Sequence, residues 1–138
     1  MKEQDRKGLR TWIEIDKKAL AHNYKALRAS LPSECRIMSV AKSNAYGHSL
    51  VDFSREIEKL GADWIGVDSA VEAITLRKED IKSPILILGY TLPEMLVKAS
   101  EIDVSVTVST FETLDAIGIA NFDKKIKVHI KVDTGMHR

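Results

Sequence analysis

An apolar run, Ile37-Met38-Ser39-Val40-Ala41, stops at Lys42, and Asn44, Tyr46, Gly47 and His48 follow at once. A free lysine amine titrates near about 10.4 and is a poor nucleophile or base at neutral pH. Desolvation lowers that value, and lysines that form Schiff bases or move protons use the effect. Because Lys42 closes an apolar run, its stem starts at the carboxyl edge of a sheet, where α/β proteins keep their sites. Tyr46 and His48 can both hydrogen-bond, and Gly47 permits close backbone approach. A single lysine after a strand is usually a solvated charge; its neighbours here argue for chemistry.

A second cluster lies in "KIKVHIKVDTGMHR", residues 125–138. Ile126, Val128, Ile130 and Val132 alternate with Lys127, His129, Lys131 and Asp133. A parallel strand covered on both faces normally reads as a continuous apolar run. Two readings stay open: an edge strand with a solvated face, or a polar layer lining a site inside a barrel. Elsewhere the sequence offers less. Four scattered histidines and the single cysteine, Cys35, give no metal-ligand spacing, so no metal is expected. Neither G-x-G-x-x-G nor G-x-x-x-x-G-K-[ST] occurs, so the nucleotide-binding signatures are absent.

The elements that must position these residues repeat along the chain. Apolar runs at Ile37–Ala41, Trp64–Val67, Ile85–Leu88, Val104–Val108 and Ile126–Val132 start about 20 to 27 residues apart, the size of a strand-plus-helix unit. Leu50, Phe53, Ile57 and Leu60 mark one helix between them, and Gly61 stands where a helix closes. Ser69…Glu72, Thr91…Glu94 and Ser109…Glu112 each read as a capping box after a strand, with Pro93 just inside one start. Ahead of these units, "TWIEID" predicts a short strand. Asp16 then caps a helix bearing Leu20, Tyr24, Leu27 and Leu31 on one face and ending at Leu31-Pro32. The pattern is βαβα with a parallel sheet. Periodicity does not separate an open doubly wound sheet from a (β/α)8 barrel.

Composition bounds the partners. The chain has 138 residues, is 44% hydrophobic and 30% charged, and carries a net charge of +1, which leaves no electrostatic footprint for nucleic acid or an acidic membrane surface. Met1 to Arg10 reads as a charged leader, neither signal peptide nor membrane span. One cysteine points to a reducing compartment, and a cytoplasmic location is expected.

"VAKSNAYGHS" closely resembles the pyridoxal-phosphate attachment motif of alanine racemases, which commonly reads V-x-K-A-N-A-Y-G-H-G. "TWIEIDKKALAHNYKAL" is similar to that family's opening segment, "SAVEAITLRKEDIKSPILILGY" to its third βα unit, and "VHIKVDTGMHR" to its K-V-D-T-G-M-x-R segment. The match runs from about Thr11 to Arg138, with motifs in the family's order. Departures are small: Ser43 stands where alanine is common, Ser49 where glycine is, and His137 where a small residue or asparagine is.

The resemblance implies an isomerase that interconverts L-alanine and D-alanine through a pyridoxal 5'-phosphate aldimine, supplying D-alanine for peptidoglycan. It implies that Lys42 holds the cofactor and, once released, moves the α-proton on one face. By the same resemblance Tyr46 donates to the cofactor phosphate, and Arg138 binds the substrate carboxylate and the cofactor's phenolic oxygen. Lys131 matches a position that is carbamylated in many members, where it orients the arginine. His48 is expected to be structural. The opposite-face base is implied to be a tyrosine from the second subunit of a homodimer. Residues 11–138 would then be the N-terminal part of a barrel domain: about the first five strands of a (β/α)8 TIM barrel, truncated, with the C-terminal half-barrel and β-domain absent. Such a chain is expected to be inactive alone, with a curved open sheet, helices on its outer face and the Thr11–Asp16 strand unpaired. The alternatives are a non-catalytic pyridoxal-phosphate-binding barrel protein and a racemase of broader amino-acid specificity.

Overall fold

A computed structural model describes residues 8–137 of the chain; Met1–Lys7 of the expected leader, and Arg138, lie outside the described residues. Five short strands alternate with helices. Helix α1 (Lys17–Ala29) precedes strand β1 (Met38–Val40), a single helical turn α2 (Lys42–Tyr46) and α3 (Leu50–Lys59). Then come β2 (Trp64–Val67), α4 (Ala70–Lys78), β3 (Ile85–Ile87), α5 (Pro93–Glu101), β4 (Ser105–Val108), α6 (Phe111–Ile119) and β5 (Lys127–Ile130).

All neighbouring strands pair in parallel, in the order β1-β2-β3-β4-β5. That order decides between the two architectures the sequence left open. A doubly wound sheet reverses direction partway and so carries helices on both faces. Here each crossover returns beside the last strand, and right-handed connections then stack every helix on one side. The chain folds as part of a (β/α)8 barrel, with five strands in an unclosed sheet.

The core lies between the strands and this helical layer. Ile65, Val67, Ile85, Ile87 and Val106 project from the strands against Leu76, Leu96 and Ala99 of α4 and α5, all nearly or fully buried. Each such large aliphatic chain contributes about 1.5–3 kcal/mol. A smaller cluster of Tyr24, Ile57 and Ala62, with Leu20 and Leu60 against it, attaches α1 to α3.

Local signals account for several element ends. The Asp16 side chain accepts from Lys18 N and Ala19 N at 2.8 and 3.1 Å, capping α1. Gly61 takes φ +86°, and Gly61 N and Ala62 N return to the carbonyls of Glu58 and Ile57, which closes α3 in a Schellman motif. Pro93 is the first residue of α5, where its missing N–H is not needed.

Other expectations fail for identifiable reasons. Thr11–Asp16, predicted as a short strand, forms none and lies outside the five-stranded sheet. Helix α1 stops at Ala29, and Leu27 and Leu31 of its predicted apolar face are exposed, since the face is covered only as far as Tyr24. Of the three capping boxes, only Ser69 caps as expected, accepting from Glu72 N at 3.4 Å. With Pro93 at the first position of α5, the cap falls to Leu92, and the buried Thr91 Oγ1 has no hydrogen-bond partner. Helix α6 begins one residue later than Ser109 would require: Thr110 caps it, accepting from the buried Thr113 N.

Candidate active site

Lys42 follows the end of β1. Ala41, fully buried, donates its N–H to the Gly66 carbonyl of β2 at 2.7 Å and so anchors the residue before it. What comes after Lys42 is unusual backbone. Ser43, Asn44, Ala45 and Tyr46 all take φ between 52° and 56°, so α2 is a left-handed turn, ending at Gly47 with φ 91°. For L-residues that conformation costs roughly 1–2 kcal/mol per residue. It persists only where its surroundings over-determine it.

They do so here. Ala45 is buried and its N–H returns to the Ala41 carbonyl at 2.8 Å. The Asn44 side-chain oxygen accepts from Leu50 N at 2.8 Å, supplying the cap that α3 otherwise lacks. Asn44 N donates to the Glu72 carboxylate at 3.2 Å. The His48 ring Nδ1 meets the Ala45 carbonyl at 3.0 Å, a structural contact.

On the side of the sheet away from the helices, an open cleft of about 710 Å³ runs along the carboxyl ends of the strands. Lys42 lines it together with Asp68, Leu88, Thr107, His129 and Lys131. The register explains why. Val128 pairs beside the core residue Val106, whereas His129 pairs beside Thr107, and both His129 and Thr107 line the cleft. Strand β5 is an exposed edge strand, and His129 within it and Lys131 just after it line the cleft. Trp64 packs edge-on to the His129 ring, centroids 5.4 Å apart, on this same side. Thr107 Oγ1 donates to the Ile87 carbonyl at 2.7 Å, joining β4 to β3.

Lys42 and Lys131 thus share one cleft, and Lys131 N is fixed to the Val108 carbonyl at 2.9 Å. Tyr46 does not line it. Its exposed ring borders a second groove of about 390 Å³, with Glu14, Asp16, Asn23, His48 and Phe53. Arg138 lies outside the described residues. Just before it, Asp133 Oδ1 accepts from Gly135 N and His137 N at 2.9 and 3.0 Å. Those backbone N–H groups hold the Asp133 carboxyl below its ordinary range. Among the described residues, no group of three or more His, Cys, Asp or Glu side chains could hold a metal ion. No helix there is long and apolar enough to cross a membrane.

Sequence reasoning passed over Asp68, Thr107 and the tie made by Glu72. Asp68 had a usable signal: it ends the run Trp64–Val67 just as Lys42 ends Ile37–Ala41, a polar residue at the same edge of the sheet. Thr107 sits inside an apolar run and carried none.

The chain is similar to known proteins along nearly its whole length. A family described as "Alanine racemase, N-terminal domain" matches residues 15–138. Alanine racemase 1 of Oceanobacillus iheyensis is 40% identical over 129 residues, covering 92% of this chain and 34% of that protein. The crystal structure of alanine racemase from Bacillus anthracis with bound L-Ala-P superposes with a TM-score of 0.88 at 37% identity, covering 93% of this chain and 33% of that one. A histidine racemase from Leuconostoc mesenteroides superposes at 0.81 with 32% identity, over 88% and 33% of the two chains. The chain spans about a third of the length of these relatives. Sequence, strand order and superposition agree, and the chain belongs to the alanine racemase family, whose N-terminal domain it matches.

Proposed function

We propose that this chain is the part of a pyridoxal-phosphate-dependent alanine racemase that carries the cofactor lysine and one of the two catalytic bases. The observation that carries the reading is the position of Lys42, at the end of β1 and in the cleft shared with His129 and Lys131. The residues present fit the cofactor. A primary amine is the group an aldehyde requires, Leu86 and Leu88 provide an apolar wall for a ring, and Thr107, His129 and Lys131 provide polar contacts.

When bound, the cofactor supplies an electron sink that makes the substrate α-proton removable. Lys42 binds it covalently through Nζ. Released from that bond, the same Nζ takes or returns the α-proton on one face. One amine returns a proton only to the face it came from, so racemisation requires a second base opposite Lys42; we assign it to a partner subunit of a homodimer. The assigned roles of the remaining groups are a phosphate donor in Tyr46, a carboxylate anchor in Arg138 and, in Lys131, a carbamylated side chain that orients Arg138. Tyr46 reaches a phosphate only if that group extends from the cleft toward the second groove. Residues 11–138 would be the first part of a barrel domain completed by further strands, and the 138 residues alone would racemise nothing. D-Alanine for peptidoglycan, made in the cytoplasm, is the corresponding product.

A broader amino-acid racemase is the second reading, favoured by the likeness to a histidine racemase. Lys42→Ala in the intact protein tests the assignment. Loss of the visible absorption of bound pyridoxal phosphate, with racemisation down about a thousandfold or more, supports it; an unchanged spectrum sinks it. Turnover of L-alanine against L-histidine separates the two specificities.

A further inference from the structure

Glu72 was expected to close a capping box on its own helix, and its carboxylate does something else. One oxygen accepts from Asp68 N at 2.8 Å, at the end of β2. The other accepts from Asn44 N at 3.2 Å, inside the left-handed turn two residues after Lys42. A single side chain on α4 therefore joins the carboxyl ends of two adjacent strands at the rim of the cleft. Asn44 carries the tie onward, because its side chain accepts from Leu50 N at the start of α3.

The turn is the least self-sufficient backbone described here. Four consecutive non-glycine residues with positive φ would relax to other conformations without outside partners. Relaxation would rotate the peptide units that follow Lys42 and swing its side chain relative to Asp68 and His129. We infer that Glu72 is a positioning residue for Lys42: it holds the left-handed turn, and with it the direction in which Nζ enters the cleft. Glu72 acts through Asn44 and touches neither cofactor nor substrate in this role. The inference rests on the reading of Lys42 as the cofactor lysine.

The test uses the intact protein loaded with pyridoxal phosphate. Glu72→Asp keeps the charge and shortens the reach by one methylene, so it cannot span both N–H groups. It lowers kcat about tenfold, the loss expected for one charge-assisted hydrogen bond, with KM changed less than about twofold. It also weakens the visible circular dichroism of the bound cofactor, which reports how rigidly the ring is held. Glu72→Gln keeps the length but leaves one accepting oxygen for two N–H groups, so it too lowers kcat and weakens the dichroic band. Ser69→Ala removes only the α4 cap, and so lowers the melting temperature while leaving kcat and the dichroic band in place. A Glu72→Asp protein with parental kcat and dichroism overturns the inference, as does a Ser69→Ala protein that loses both equally. Lys42→Ala, measured alongside, separates the two levels: retention of the visible band there removes the cofactor reading itself. Loss there with an unaffected Glu72→Asp removes only the role of Glu72.

Discussion

Gly89 donates its N–H to the Asp68 carbonyl oxygen at 3.1 Å, and a Cβ added at Gly89 would run into that same oxygen. The contact brings the end of β3 against the end of β2 where both border the Lys42 cleft. Only a residue without a side chain permits that approach.

Gly89→Ala is therefore expected to push the two strand ends apart. The cost of forced overpacking is about 1–3 kcal/mol, read as a lower urea midpoint. Asp68 and Gly89 both line the cleft, so on the proposed reading of Lys42 pyridoxal-phosphate affinity is expected to fall as well. An alanine variant with the parental midpoint would refute the tight approach.

The left-handed turn after Lys42 makes its own prediction at Ser43, which is exposed and has φ 54°. A β-branched residue is strongly disfavoured there, whereas glycine adopts the region freely. Ser43→Val should lose about 1–2 kcal/mol, and Ser43→Gly should stay within about 0.5 kcal/mol of the parent. Equal stabilities for the two variants, by chemical denaturation, would mean that the turn is not left-handed in solution.

At the opposite end of the strands, Arg77 donates to four carbonyl oxygens, those of Ile81, Ser83, Ile102 and Asp103, between 2.6 and 3.1 Å. Burial is the main cause that lowers its pKa, with Asp103 and Glu58 opposing. Arg77→Ala strands those acceptors and is expected to cost about 3 kcal/mol. Arg77→Lys recovers less than half of that, because a point charge cannot reproduce the planar fork. Thermal melts of the two variants decide it; a lysine as good as arginine would show that charge alone matters.

Acid should find a specific weak point at Glu58. Burial raises its pKa, but the N–H groups of Ser83 and Lys82 and the Ser83 hydroxyl, at 2.6 to 2.8 Å, outweigh burial and leave it below 4.5. A carboxyl with a depressed folded value contributes stability that is fully present above its unfolded value and is lost as pH falls through the folded one. Glu58→Gln is expected to cost about 1–2 kcal/mol at neutral pH and to flatten the loss of stability below about pH 4.5. Denaturant titrations across that range give the comparison, and parallel curves for parent and variant would exclude the linkage.

Much of the fold was legible because its causes are local. Five apolar runs became five strands, since a β-branched run bounded by polar residues has few other ways to hide. Asp16, Gly61 and Pro93 ended or began helices where their own chemistry requires, within one turn of chain. Lys42 stood out for the same reason: an ammonium closing an apolar run is visible without any partner. At α6 the predicted cap, Ser109, gave way to Thr110, whose hydroxyl accepts from the N–H of buried Thr113.

The amino-acid sequence by itself determined the alternation of strand and helix, the lysine at the end of β1 and the family resemblance, because each depends on neighbours in the chain. Only the tertiary structure decided that the strands lie in consecutive order with all helices on one side. It also decided that His129 of β5 shares a cleft with Lys42 while Tyr46 borders a different groove. The left-handed turn belongs with these. No local preference favours four successive positive φ values; partners distant in sequence, Glu72 above all, must lower the energy of a conformation the segment would not hold alone.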